Sequence, residues 1–335
     1  MSGATSNGKP AITVLGAGRW GITLAHVAAR NGCDVTLWAR DGRRASNLQR
    51  RRSLKKLLPE LEKIDDKVTA TGDAAVACVH DTLILACGVA DVPDVIEKVG
   101  PHLGGQHQIV HAIRGLDSAT FAFPSQTVRK ETCVRQVGAF LGPVVVEELL
   151  AGRLNSAVVA SRFPNARKTI QAAFASPALR VYSSDDLIGV EVAAAGAAVG
   201  AIAIGFCLQL NLGPATLATF VTRGTAELAR VVTAAGGKSD SAFGLAGLGD
   251  LLVRRESHSR EVEAGKLLAQ GKSKAEIETA LGHLDAIDAA TTFAALAQRR
   301  GIEAHLTSAV AAMLAGTVGP AEAIRGLMTL EQMAE

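Results

Sequence analysis

The apolar residues change rhythm part-way along the chain. Up to about residue 185 they come in short runs separated by segments of helical period. Ala11 to Leu15 (A-I-T-V-L), Asp34 to Trp38 (D-V-T-L-W), Asp81 to Cys87 (D-T-L-I-L-A-C) and Gln108 to Ile113 read as strands, and Ile22 to Arg30 and Val92 to Val99 as helices. Apolar strands with helices between them predict a parallel sheet covered on both faces. From about Leu187 long helices take over: one to Leu210, then Ala215 to Ala235, Arg260 to Gln270, Lys274 to Leu281, Ala286 to Arg300 and Thr307 to Ala315. The stretch Val192 to Leu208 carries no charge and approaches the roughly 20 residues that span a bilayer. It is mostly Ala and Gly, which supply little transfer energy, and Glu191 stands at its edge. A central helix buried all round is expected there, not a membrane span.

Within the first strand–helix–strand unit lies Gly16-Ala-Gly18-Arg-Trp-Gly21, at the point where strand gives way to helix. This is the context that the dinucleotide fingerprint requires. Gly16 permits the tight turn, Gly18 lets backbone N–H groups approach a pyrophosphate, and Gly21 allows the helix to pack closely on the sheet. The helix N-terminus then faces the anion. The expected fold is therefore α/β: a Rossmann-type doubly wound parallel sheet with a second, all-helical domain. The expected division is a disordered tail at 1–10, an NAD(P)-binding domain at 11–185 and a helical substrate domain at 186–335. The second strand ends Trp38-Ala39-Arg40, with Asp41 one step late and Arg43 and Arg44 following. An acid at the strand end would select NAD, whereas guanidinium groups suit the 2′-phosphate of NADP. Both nucleotides stay open, with NADP favoured.

Composition narrows the partners. Thirty-five Lys and Arg against 32 Asp and Glu give +3, too near balance for nucleic acid to be the general partner. Arg50 to Lys56 holds five cations in seven positions, but without aromatic residues to stack bases it reads as a solvated helix face. Five scattered cysteines, never spaced C-x-x-C, fit neither a disulfide framework nor a zinc cluster. His107 and His111 fall on a strand, so no metal site is expected. The polar N-terminus lacks the apolar core of a signal peptide, which points to the cytoplasm.

The chain resembles the NAD(P)-dependent glycerol-3-phosphate dehydrogenases over nearly its whole length. The motifs that carry the likeness are V-L-G-A-G-x-W-G-x-x-L-A at Val14 to Ala25, L-W-A-R-D at Leu37 to Asp41, and S-S-D-D-x-I-G-V-E at Ser183 to Glu191. T-R-G-x-x-E-L-A-R at Thr222 to Arg230 and G-L-A-G-L-G-D-L at Gly244 to Leu251 complete the set. The resemblance implies reduction of dihydroxyacetone phosphate to sn-glycerol 3-phosphate, a glycerophospholipid precursor, and commonly a homodimer. It implies a contact from Arg260 and a catalytic place for Asp250; cofactor contacts are expected from Gly16, Gly18, Arg19, Trp20, Gly21, Arg40 and Arg260, and substrate contacts from Arg260 and from Arg254, which is peculiar to this chain.

The departures bear on the chemistry. The family's Lys-Gly after the fifth strand is here Arg114-Gly115. Its Lys-Asn in the central helix falls on Ala197 and Ala198. Its Thr-Cys and Ser-Arg-Asn beyond Asp250 become Arg254-Arg255 and Ser259-Arg260-Glu261. Carbonyl reduction needs a hydride and a proton for the developing alkoxide. A buried lysine can deliver that proton, an alanine cannot, and an arginine stays protonated. Arg114 retains only electrostatic polarisation. Loss of a general acid removes a factor of about 10²–10⁴, so catalysis is expected to be lost or strongly reduced. Three readings follow. One is a working dehydrogenase whose acid is Asp250, His258 or a mobile lysine. The second is a pseudoenzyme that binds dinucleotide as a regulator, scaffold or redox sensor and takes a protein partner. The third is a dehydrogenase for another small acidic substrate, clamped by Arg254 and Arg255.

Overall fold

The computed structural model describes residues 8–52, 57–117, 120–256 and 259–328. Most of the tail expected at 1–10, His258 and the cationic positions Lys55 and Lys56 lie outside the described residues. The chain divides into two compact units. One comprises Met1–Ile113 and Ala122–Leu187, the other Arg114–Phe121 and Ile188–Glu335.

The first unit is built on eight strands: β1 (Ala11–Leu15), β2 (Asp34–Trp38), β3 (Val68–Thr71), β4 (Thr82–Leu85), β5 (Gln108–His111), β6 (Gln136–Leu141), β7 (Asn155–Ala160) and β8 (Leu179–Ser184). They form one sheet in the order β3-β2-β1-β4-β5-β6-β7-β8. Every neighbouring pair is parallel except β6 and β7. The helices between them are α1 (Arg19–Arg30), α2 (Gly42–Arg51), α3 (Ala74–Ala77), α4 (Val92–Val99), α5 (Pro124–Glu131), α6 (Val146–Leu150) and α7 (Pro164–Phe174). Two apolar cores result. One joins α1 and α7 to strand residues such as Ile12, Val14, Ile84 and Val159; the other joins α4 to Leu83, Leu85 and Ile109. The doubly wound sheet anticipated from the short apolar runs is present, with strand order reversing direction at β1 and β4.

The second unit holds α8 (Leu187–Gln209), α9 (Pro214–Ala234), α10 (Asp240–Phe243), α11 (Asp250–Glu256), α12 (Arg260–Ala269), α13 (Lys274–Leu281), α14 (Asp285–Arg300), α15 (His305–Leu314) and α16 (Pro320–Met328). By length and composition α8 is able to cross a bilayer, yet 78% of its most apolar window is buried inside the protein. Its small residues have a packing cause. A Cβ at Gly205 would lie 2.0 Å from the Val262 carbonyl oxygen, and one at Gly265 would lie 1.9 Å from that of Ile202. α8 and α12 therefore meet backbone to backbone, which no larger residue permits. This contact fixes the start of α12 beside α8. The segment Arg114–Phe121 follows β5 in the chain but groups with the helical unit, a departure from the single boundary expected near residue 185.

Candidate active site

Two sites emerge, one in each unit. In the first, β1 runs into Gly16, whose φ of +123° is open to glycine alone in practice, and whose Cβ would fall 2.2 Å from the Ala86 carbonyl oxygen. Five residues on, a Cβ at Gly21 would lie 1.9 Å from the Gly16 carbonyl oxygen. Gly18 differs: it is the N-cap of α1 with an ordinary φ of −78°, and nothing lies within 4 Å of the Cβ position. As N-cap, Gly18 has no side chain to cap the first turn of α1, whose leading N–H groups lack partners within the helix. An anion-binding cradle over Gly18 and the α1 N-terminus fits a dinucleotide pyrophosphate.

The cations expected around this turn are arranged differently from the sequence reading. Arg19 turns to acids, with Nη2 3.0 Å from Glu60 and also bonded to Glu147. Trp20 packs against the sheet core. Arg40 pairs with Asp91 at 2.8 Å and Asp94 at 3.4 Å. Its charge is thus already engaged. Arg44, not singled out above the other arginines of that loop, donates to the carbonyl of Ala17 inside the glycine turn.

In the second unit a charged cluster forms around Asp250. A π-helical turn, Leu245–Gly249, delivers Asp250 to the start of α11, where it is 2% exposed. Arg254 lies one helical turn on and donates from Nε to Asp250 Oδ2 at 2.9 Å. Its Nη1 stands 2.8 Å from Oε2 of Glu261. Arg114 reaches the same carboxylate, Nη2 donating to Oδ1 and Nε 3.3 Å from Oδ2. Burial alone would lower the pKa of Arg254, but Asp250 and Glu261 more than offset it and hold the guanidinium charged. Burial would raise Glu261, yet Arg254, with help from Arg114, keeps it below the ordinary carboxylate range. For Arg114 desolvation prevails over Asp250 and moves it below the usual arginine value.

Ala197 has no exposed surface and packs with Ile204, Cys207, Leu217 and Leu251. Ala198 is also buried. Arg260, expected at cofactor and substrate, turns to the carbonyls of Leu281 at 3.3 Å and His283 at 3.5 Å. Arg254, expected on the substrate, faces inward to two carboxylates. The structure thus brings Arg114, Asp250 and Arg254 together and adds Glu261, while Arg260 belongs to another contact.

Residues 11–167 match the family model described as NAD-dependent glycerol-3-phosphate dehydrogenase N-terminus, and residues 186–325 its C-terminus. The chain belongs to that family. A glycerol-3-phosphate dehydrogenase [NAD(P)+] of an Acidovorax species is 34% identical over 329 residues, 97% of this chain and 99% of that protein. One from Ralstonia nicotianae is 36% identical over 340 residues, covering 97% and 98%. Among solved structures, the glycerol-3-phosphate dehydrogenase of Coxiella burnetii superposes with a TM-score of 0.87 at 29% identity, covering 96% of this chain and 99% of that one. In this member of the NAD-dependent glycerol-3-phosphate dehydrogenase family, the glycine turn lies in the part matched by the N-terminal family model. The Asp250 cluster is where the resemblance put the substrate chemistry.

Proposed function

We propose that this chain binds NADP(H) or NAD(H) at the Gly16–Gly21 turn and reduces dihydroxyacetone phosphate at best very slowly. The observation that carries this reading is the composition of the Asp250 cluster. Both positions at which the resemblance calls for lysine hold other residues, and the one at 197 sits among apolar side chains. The bound nicotinamide would supply a hydride; the proton has to come from the protein. The cations seen to bond Asp250 are the guanidiniums of Arg114 and Arg254, which do not release protons near neutral pH. Asp250 itself accepts from Arg114 and Arg254. The third requirement, affinity for a dianion, is opposed as well, because two arginines are matched by two carboxylates.

Support for NADP over NAD comes from Arg44, which holds a guanidinium against the glycine turn; Arg40 contributes less because Asp91 and Asp94 engage it. A cytoplasmic, dinucleotide-binding homodimer that serves a protein partner fits this reading. Residual glycerolipid metabolism is the alternative that turnover would favour. The test is to titrate NADH and NADPH, then follow nicotinamide oxidation with dihydroxyacetone phosphate. Binding is expected, with turnover at least about 10²-fold below a family member that has both lysines. Turnover at that member's level overturns the proposal.

A further inference from the structure

The sheet unit has a second polar recess, at the end of the strands away from the glycine turn. A cavity of about 630 Å³ opens there, walled by the first residues of β1, β4, β5 and β6 and by one face of α7. That volume falls within the roughly 300–1,000 Å³ usual for small-molecule pockets. Every described residue on its wall belongs to the sheet unit. β1 spans the distance from the cavity, at Ala11, to Leu15, beyond which the glycine turn begins.

Strand register sets what the wall offers. Thr82 pairs with Gln108, and Gln108 with Gln136, across three parallel strands, so their side chains stand in one row on the same face of the sheet. Two residues on, the same face carries Ile84 and Val110, which lie in the apolar core shared with α7. The polar row therefore looks toward α7, whose Asn165, Lys168, Thr169 and Ala172 share one helical face and line the cavity. Thr82 and Gln108 are buried, and one end of the Gln108 amide is spent on Thr82, Nε2 donating to Oγ1 at 2.6 Å. Its carbonyl end has no partner among the described residues, and neither end of the Gln136 amide has one. A buried amide is normally bonded at both ends, so this row is short of a partner.

The ionisable groups on the wall select no net charge. Asp81 and Lys168 are of opposite sign, and neither is ion-paired among the described residues; His80 has Nδ1 3.2 Å from Thr13 Oγ1. Exposed Val79 and half-buried Pro10 add apolar surface. We infer that the cavity is a second small-molecule site, which takes a nucleobase or its nucleoside by a lactam edge. A ring lactam holds N–H and C=O side by side. A primary amide matches that edge with two reciprocal hydrogen bonds, the lactam N–H donating to Oε1 and the lactam oxygen accepting from Nε2. Gln136 has both groups to give, Gln108 adds an acceptor beside it, and Val79 and Pro10 offer apolar surface to the ring.

The experiment titrates uridine and inosine into the full-length protein by calorimetry, with and without NADPH, beside the analogues of each that carry a methyl group on the lactam nitrogen. At least one parent nucleoside is expected to bind about ten-fold or more tighter than its methylated form, with an affinity that NADPH leaves unchanged. Gln136→Met keeps the length of the side chain and removes the amide. It is expected to lose that preference with the fluorescence-detected unfolding midpoint unchanged, because Gln136 is only half-buried. Gln108→Met with Thr82→Val removes the buried pair together and is expected to lose the preference as well; should that variant unfold, Gln136→Met decides alone. No saturable binding of either parent overturns the proposal, as does equal binding of parent and methylated forms. Displacement by NADPH places the nucleoside at the glycine turn and overturns it too, and so does a preference that survives Gln136→Met. Turnover of dihydroxyacetone phosphate by the unmodified chain would refute the proposed function and leave this result unaffected.

Discussion

Installing lysine at position 197 alone is expected to damage the protein rather than revive it. Ala197 is fully buried, and Ile204, Cys207, Leu217 and Leu251 fill the surrounding space. A lysine stem there overpacks the cluster, at a cost of about 1–3 kcal/mol. The ammonium then needs a partner, and Leu251, which packs in the same cluster, is the chain neighbour of Asp250, already bonded to Arg254 and Arg114. A third cation beside one shared carboxylate leaves a buried charge poorly paired, worth about 3–5 kcal/mol. The two terms overlap, and a destabilisation of about 3–5 kcal/mol is the working figure. With a urea slope near 3 kcal/mol per molar, the unfolding midpoint falls by about 1 M or more.

The chain carries its own control for this measurement. Both tryptophans, Trp20 and Trp38, belong to the sheet unit, whereas most helix lies in the other. In Ala197→Lys the midpoint read by circular dichroism at the helical band should drop further than the one read by tryptophan fluorescence. Adding Arg254→Thr frees Asp250, so the double variant should be more stable than the sum of the single effects by at least about 1 kcal/mol. An unchanged midpoint in Ala197→Lys, or additive effects in the double variant, would refute the argument that Arg254 has taken the place of an ammonium at Asp250.

Two further outcomes test the sheet unit. Gly18→Val should weaken dinucleotide binding at least about ten-fold, some 1.4 kcal/mol, with no change in the fluorescence midpoint, because the Cβ enters open space. Gly21→Ala should instead lower the midpoint, since its Cβ meets the Gly16 carbonyl; equal stability of the two variants would contradict this. His26 is buried and accepts from the Asp65 N–H at 3.1 Å, and burial holds its pKa below the usual 6.5. The unfolded chain therefore binds the proton first, so stability is lost as pH falls through about 6.5, by at most about 1.4 kcal/mol per unit. His26→Gln should flatten the fluorescence-detected stability between pH 7.5 and 5.5, and an unaltered slope would exclude His26 as the cause.

What the sequence made legible was local or strongly periodic. The three glycines fall within six residues at a strand-to-helix junction, a spacing readable without the rest of the fold, although the Ala86 carbonyl that excludes a side chain at Gly16 is not. The charge-free run of α8 was also readable, since only burial tolerates it. Strands β6, β7 and β8 were not singled out. β8 alternates buried and exposed at the sheet edge over only four residues, and nothing in the apolar pattern encodes that β7 runs against β6. Side-chain partners were the least legible. Arg19, Arg40, Arg254 and Arg260 were all assigned to ligands by position, and in the fold each guanidinium meets protein acceptors that its position does not announce. Long side chains reach whatever acceptor tertiary structure places within several ångströms, and Arg114 and Asp250 stand 136 residues apart.

The substitutions around Asp250 fall into two separable changes. With lysines at 114 and 197, a single aspartate faces two cations and the local sum is +1, a surplus that favours an anionic substrate. In this chain the cation at 114 is kept as arginine, the one at 197 is gone, and a new one has appeared at 254 against the same aspartate. Those changes alone would preserve the surplus. Glu261 is what removes it, bringing two guanidiniums and two carboxylates to a sum of zero. On the proposed function, proton delivery and anion affinity depend on different residues: the first on the absence of amines at 114 and 197, the second on Glu261. A variant that restores only the amines would carry the acid but still present the Glu261 carboxylate to a dianion, and one that neutralises only Glu261 would still lack a proton donor. On the proposed function, turnover at the level of a family member with both lysines is expected only when both changes are made; its appearance with the amines alone would show that Glu261 does not oppose the substrate.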